Sequence, residues 1–526
     1  MSRLRPSAPL RSRVLSPPVR GLPPSAPVGA DSGPASSALP ARYPPSAGVG
    51  QAASAHGRVE SRWWIQTTAG AATIVGVVVA AWAMIAIPAR ATYGTLTTAD
   101  EPQYLLSALS LFEDGDLHID DELADARFVP FHELDLPVQT EVLDNGHQVS
   151  PHDPLLPAIL ALPMGLGGWA AAKATLAVLG GVLAAVLVWT AHRRFAVPLG
   201  VAAATVLAFG VTAPLSAYAT QVYPELPAAL AVTAAIALLT GGRNRAALVG
   251  FGLAVTALPW LGVKYAPVAA ALVAVAVATL VGERRIRAAV SVVVLLGLAG
   301  IAYLAAHRLL YGGWTVYATG DHFTGGELTV MGRDPDYVGR SHRLGGLLLD
   351  RGFGLAAWMP AYLLAIPALA ALARRRPPGW WTLVAPLAAG WATATWVALT
   401  MHGWWWPGRQ VVVVAPCLVL AIAWWAGRTR AARGFVVVAG VFGALAWGWL
   451  VAEVLDRRRT LIFDFESTAN PLYRAWRLLL PDYRHPDAGD WLLQAAWFAA
   501  LAAAGLVALR VARSRSFAAG RSGVDA

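Results

Sequence analysis

Cysteine occurs once in the 526 residues, at Cys417 within an apolar run, so the chain can form no internal disulfide framework and no cysteine metal site. Charge is also scarce: 14% of residues are charged and 56% hydrophobic, with a mean hydropathy of +0.52. A chain this apolar and this long is not one soluble domain, and the bilayer is its main solvent. The short alternating segments of a transmembrane β-barrel are missing. No continuous basic face exists either; the net charge of +10 comes from short Arg clusters between apolar runs, which argues against a nucleic-acid partner.

What the sequence does have is a succession of apolar runs, each of roughly 17–25 residues and so long enough to span the hydrocarbon as a helix. Spans are predicted at 64–87, 168–190, 196–216, 224–241, 246–262, 265–281, 288–306, 353–373, 380–400, 408–427, 433–452 and 490–511. The expected fold is therefore all-α and polytopic, with about twelve transmembrane helices. Residues 155–167 are apolar but short and broken by Pro and Gly, which suits a re-entrant or interfacial piece. Residues 1–62, rich in Pro, Ser, Ala, Gly and Arg, predict a disordered cytoplasmic tail. The first span lies too far along the chain for an ordinary cleaved signal peptide. The membrane domain runs over 63–512, and a short cytoplasmic tail over 513–526.

Short cytoplasmic loops concentrate Lys and Arg. With the N-terminus inside, Arg193-Arg194, Arg243 and Arg245, Arg284 to Arg287, Arg374 to Arg376, Arg428 to Arg433 and Arg510 to Arg515 all fall inside. Arg457 to Arg459 fall outside and are the discordant cluster. This orientation gives a multi-pass protein of the cell membrane with both termini cytoplasmic. Its extracytoplasmic loops are 89–153, 311–351, 456–490 and the short turn from His402 to Arg409. Residues 102–112 are expected to form an amphipathic helix along the membrane surface.

Within the first loop the run Asp100-Glu101-Pro102-Gln103-Tyr104-Leu105 places two carboxylates at the membrane boundary. A carboxylate against apolar walls can have its proton affinity raised and serve as a general base. Equally, Asp100 can cap the helix that begins at Pro102. That run, with the downstream Ser110-Leu111 and Asp114-Gly115-Asp116-Leu117, resembles the first-loop signature of bacterial GT-C fold glycosyltransferases, the group that includes the protein O-mannosyltransferases and the lipid A aminoarabinose transferase. Further fragments extend the resemblance over roughly 65–420: His152-Asp153-Pro154, Tyr223-Pro224-Glu225, Asp350-Arg351-Gly352 and the tryptophan turn Trp404 to Arg409. No large soluble C-terminal domain of the oligosaccharyltransferase kind is seen.

The resemblance implies transfer of a sugar, with inversion, from a polyprenyl phosphate to a hydroxyl acceptor on a glycan, lipid or protein. It puts Asp100 in the position of the essential acid, with Glu101 beside it. Such chemistry needs a base and a cationic phosphate clamp at headgroup depth. Arg351 and Arg409 suit the clamp, since Arg matches phosphate oxygens in a bidentate way; each equally suits interfacial snorkelling. Lys264, isolated between two apolar helices, either pairs with Glu225 or contacts phosphate, and Glu225 equally suits an ion-pair partner, a second acid or a metal ligand. His152 and His402 are further candidates at the same boundary, and the tryptophans suit either an aromatic belt or stacking on sugar. Asp114-Gly115-Asp116 has the form of a D-x-D metal element and equally of an ordinary turn, and His118, Asp120, Asp121 and Glu122, which follow closely, suit a hard-cation site or an acidic solvated loop, so a divalent cation is the one cofactor left open. The Ala, Gly and Arg richness suits a high-GC bacterium such as an actinomycete, where mannosyl and arabinosyl decaprenyl phosphates are donors the resemblance would imply.

From another functional class, the architecture also suits a multi-pass transporter or lipid flippase of the cell envelope. Such proteins usually carry internal repeats, and none is found here. A noncatalytic scaffold is the third option.

Overall fold

The computed structural model describes residues 49–137, 139–140, 142–320 and 327–514. Most of the predicted N-terminal tail, and the C-terminal tail beyond Ser514, lie outside these residues. The chain divides into a unit Met1–Glu60 and a unit Ser61–Ala526. The described part of the first unit is helical from Val49.

The described residues are almost entirely helical, with only isolated bridges between extended residues. Among the described residues, seven helices are long and apolar enough to cross a membrane, including Thr67–Met84, Leu155–Phe195, Ile286–Leu310 and Ala488–Val511. Three shorter apolar helices, Leu199–Gly210, Glu225–Leu239 and Arg245–Leu261, lie where spans were predicted. The 353–373 run is broken: short helices Leu355–Trp358 and Pro360–Leu364 precede Ala365–Arg375. Pro360 fixes its own φ and disfavours helix at Met359, which explains the interruption. Helix Ile286–Leu310 leaves Val290, Val294, Leu298 and Ile301 exposed, as a lipid-facing surface requires, whereas Arg409–Ala426 is 94% buried and forms the centre.

Helix α1 (Val49–Met84) leads through a turn to α2 (Glu101–Glu113); α3 (Asp120–Ala124) and α4 (Leu155–Phe195) follow. Helix α2 is not an amphipathic surface helix. Residues Glu101 to Ser110 are all buried, with Leu105, Leu106 and Leu109 in the main core. Helix α4 is broken at Gly168, whose φ of 64° and ψ of −164° lie outside helical space. The predicted short piece 155–167 is thus the first limb of a kinked helix, and this limb covers α2. Glycine is used differently where α1 crosses α4: a methyl group at Gly181 would stand 2.5 Å from the Gly76 carbonyl oxygen. Small residues allow such close backbone approach. Gly181→Val is expected to force the helices apart and to cost about 1–3 kcal/mol, seen as a lowered midpoint in thermal unfolding of the detergent-solubilised protein.

Basic loops meet at one end of the bundle. Arg194 Nε donates to the Ala237 carbonyl at 2.9 Å, Arg243 pairs with Glu283, and Arg285 donates to the Arg243 carbonyl at 2.6 Å. The loops of the other end are also joined. Leu461 N–H donates to Arg90 O at 2.9 Å, Tyr93 hydroxyl to Asp464 at 2.6 Å, and Arg351 N–H to Pro481 O at 2.9 Å.

Candidate functional site

The site begins with the turn that ends the connection from α1. Ala99 adopts a left-handed φ of 49°, a conformation that costs a residue with a Cβ and that sharply redirects the chain. Asp100 then occupies the N-cap position of α2, but its side chain makes no capping bond, so capping is not what it does here. Glu101 holds the turn: its Oε1 accepts from Thr98 N–H at 3.2 Å and its Oε2 from Val222 N–H at 2.8 Å. Tyr223 hydroxyl donates to Thr98 O, and Gln139 Nε2 to Ala99 O, each at 3.2 Å. Burial pushes the Glu101 carboxyl up, opposed by Lys173 and the two N–H donors. In Glu101→Gln the amide nitrogen can no longer accept, which leaves one buried N–H unpaired at about 1–3 kcal/mol. A lowered unfolding midpoint with unchanged expression is the expected result.

The carboxylate of Asp100 instead meets a group of charges in which Arg409 and Glu225 are buried and Lys264 is half-buried. Arg409 donates through NH2 to Asp100 at 2.6 Å and through Nε to Glu225 at 3.0 Å, and Lys264 donates to the same Glu225 oxygen at 2.7 Å. His152 Nε2 stands 3.8 Å from Asp100. The guanidinium of Arg409 also lies over the rings of Tyr223 and Trp405, at 4.1 and 4.9 Å from their centres. Two carboxylates thus share two cations, which offsets the high cost of charge away from water. For Asp100, burial alone raises the carboxyl, but Arg409, His152 and Lys264 outweigh it and hold it at about 2. Burial lowers His152 against the pull of Asp100.

Local sequence explains why Arg409 is fixed. Gly408 takes φ 85° and packs against Leu355 and Pro214, and the preceding Trp406 carbonyl accepts from Tyr218 hydroxyl at 2.5 Å. The Trp406 ring is wholly buried among Trp358, Trp447 and Phe465. The tryptophan turn is therefore in part a core element, with Trp405 left to cover the guanidinium.

Two cavities meet at these charges. One, of about 200 Å³, is lined by Asp100, Tyr104, Gln139, His152, Lys264, Tyr317 and Arg409 among others. The second, of about 1330 Å³, is mostly apolar and shares Asp100, Gln139, Lys264, Tyr317 and Arg409 as a common wall. It extends to Pro267 and Val268 on one span and to Gly390, Ala394 and Val397 on another segment, and residues of the first and 311–351 loops cover it. Thr393–Val397 forms a π-helical turn in this wall, a rare local geometry often found where a helix borders a site.

The structure thus gathers Asp100, His152, Glu225, Lys264 and Arg409. It does not bring the other named residues to them. Glu101 is spent on backbone N–H groups. Arg351 pairs with Asp490, with Asp482 at 3.9 Å, and His402 lies 3.8 Å from Asp350; neither Arg351 nor His402 lines the two cavities. Asp116 closes a turn, accepting from Ser110 Oγ at 3.1 Å and His118 N–H at 2.9 Å, whereas Asp114 faces Asp121 and Glu122. Burial and the neighbouring Asp121 push the Glu122 carboxyl up to about 8.

Sequence reasoning missed two supports. Asp153 accepts from Tyr303 hydroxyl at 2.8 Å and Val263 N–H at 2.9 Å, with His307 Nε2 at 3.0 Å. The spacing Tyr303, His307, Tyr311 on one helical face was the available signal. Lys173, whose amine donates to Leu96 O at 2.7 Å, was signalled by rarity: Lys173 and Lys264 are the sequence's two lysines, both within apolar runs.

No family profile matches the chain, and no curated protein matches it. Among solved structures, it is similar to the crystal structure of ArnT from Cupriavidus metallidurans bound to undecaprenyl phosphate, at 14% sequence identity and a TM-score of 0.44, over 87% of this chain and 74% of that one.

Proposed function

We propose that the protein transfers a sugar from a polyprenyl-phosphate donor to a hydroxyl acceptor at the extracytoplasmic face of the cell membrane. The observation that carries this reading is the position of Asp100, Lys264 and Arg409 in the wall between a large apolar cavity and a small polar one. A lipid-linked donor has this same division: an apolar tail, an anionic phosphate and a polar sugar. The tail suits the 1330 Å³ cavity, the phosphate suits Arg409 and Lys264, and the sugar suits the 200 Å³ chamber.

In the proposed step the acceptor oxygen forms a bond to the anomeric carbon from the face opposite the phosphate, which inverts the configuration. The bond between that carbon and the phosphate oxygen breaks, and the phosphate leaves with the electron pair, its charge balanced by Arg409 and Lys264. The acceptor proton passes to Asp100. While paired with Arg409, Asp100 is a weak base, its carboxyl held at about 2. A donor phosphate that engages Arg409 loosens that pair, and the base strengthens as the leaving group is bound.

The test uses membranes containing wild type or Asp100→Asn at matched expression, supplied with radiolabelled polyprenyl-phosphate sugars and, in parallel, the corresponding nucleotide sugars. Label that reaches acceptor from the lipid donor in wild type, and not in the variant, is the expected outcome. Equal transfer by both, or no transfer from any lipid donor, overturns the proposal.

A further inference from the structure

Away from the charged wall, the far end of α2 carries a second arrangement of acids. One ligand oxygen each from Asp114, Asp121 and Glu122 can be chosen so that all three lie within 4.8 Å of one another. Asp114 is the C-cap residue of α2, while Asp121 and Glu122 belong to α3. Three carboxylates this close are common on solvated surfaces, but Glu122 is not solvated. It is 2% exposed, and neither of its carboxylate oxygens has a hydrogen-bond partner among the described residues. The nearby Arg127 does not supply one, because both its terminal nitrogens are engaged by Glu113, at 2.8 and 2.7 Å. With Arg127 committed to Glu113, no basic side chain pairs with the Glu122 carboxyl among the described residues, so nothing there supplies the counter-charge that its ionised form needs.

We propose that Asp114, Asp121 and Glu122 bind a divalent cation of calcium size that joins the C-terminal end of α2 to α3. Oxygens that lie within 4.8 Å of one another can face one hard divalent cation, and three carboxylates suit calcium, which takes about 6–8 oxygen ligands, better than magnesium, which is usually held by only one or two carboxylates. Asp114 and Asp121 are exposed, which leaves room for the waters that complete calcium's irregular shell. The carbonyl end of α2 adds its negative pole at the same place. The site joins Asp114 of the D-x-D element to Asp121 and Glu122 of the acidic run that follows it, without Asp116. Since Asp100 stands at the opposite end of α2, the cation would stiffen the helix on which that residue is mounted.

The test is binding by the full-length protein, purified in detergent and stripped with a chelator, so it does not depend on sugar transfer. Calcium titrated by calorimetry is expected to bind at a single site, with an affinity of about 10⁻⁴–10⁻³ M or tighter, and to raise the thermal unfolding midpoint. Glu122→Gln and Asp114→Asn are each expected to weaken binding by about tenfold or more. Asp114 is exposed, so its variant decides the matter if Glu122→Gln fails to fold. No saturable binding up to about 10 mM calcium, or equal binding by wild type and the Asp114 variant, overturns the site. Displacement of calcium by an equal concentration of magnesium overturns the assignment of ion size.

Discussion

Sugar transfer by Asp100→Asn is expected to fall by about 10²–10⁴-fold, the usual range for loss of a positioned general base. The variant isolates chemistry from folding. An asparagine oxygen can still accept from Arg409, now 2.6 Å from the carboxylate, so the geometry of the wall should survive while the group loses its proton affinity. The loss should therefore fall on kcat, with donor binding little changed, because the phosphate is assigned to Arg409 and Lys264. A variant that binds donor normally and still transfers at the wild-type rate would remove Asp100 from the chemistry.

Arg409→Gln should have the largest effect on stability. Removing one partner of a buried ion pair typically costs about 3–5 kcal/mol, because a charge is left uncompensated. Here the two carboxylates differ. Glu225 keeps Lys264 at 2.7 Å, whereas Asp100 keeps no Lys or Arg at ion-pair distance among the described residues, with His152 at 3.8 Å and Lys264 further off. Adding Asp100→Asn to Arg409→Gln should accordingly recover much of the lost stability. Adding Glu225→Gln should not, because it leaves Lys264 unpaired. The three unfolding midpoints, measured in one detergent, decide between this and a simple sum of losses.

The pH dependence of wild type and Arg409→Gln should also differ. In wild type the Asp100 carboxyl is held at about 2, below its ordinary 3.8, so its contribution is present above pH 3.8 and is lost as pH falls toward 2. Without Arg409, burial is opposed by His152 and Lys264 alone, so the carboxyl rises from its wild-type position. A smaller depression means a smaller loss as pH falls, so Arg409→Gln should become more stable relative to wild type on acidification.

Much of this site was legible in the sequence because charge at the end of an apolar run is expensive and therefore conspicuous. That reasoning reached Asp100, Glu225, Lys264 and Arg409. It had no means of separating Arg409 from Arg351, since both flank apolar runs and only tertiary packing gives one of them Glu225 and the other Asp490. Nor could it divide the roles of Asp100 and Glu101, which point about 100° apart once a helix begins there. The surface reading of α2 failed for a related reason: periodicity reports one apolar face, but the first limb of α4 and the surrounding loops bury the polar side as well. Asp153 and His307 are 154 positions apart, and no local pattern links them.

The Asp153 bracket has a consequence for how the chain can vary. It binds the backbone of Val263 and the side chain of Tyr303, while the residues next along the chain, His152 and Lys264, belong to the charged wall. Register is therefore set at two places by one side chain. One residue inserted between His152 and Asp153, or between Val263 and Lys264, would displace a charged group by roughly 3.8 Å, the distance between successive Cα atoms. An ion pair of 2.7 Å, as between Lys264 and Glu225, does not survive that shift. Length can vary in the exposed tips of the loops, whereas these two dipeptides function as fixed rulers.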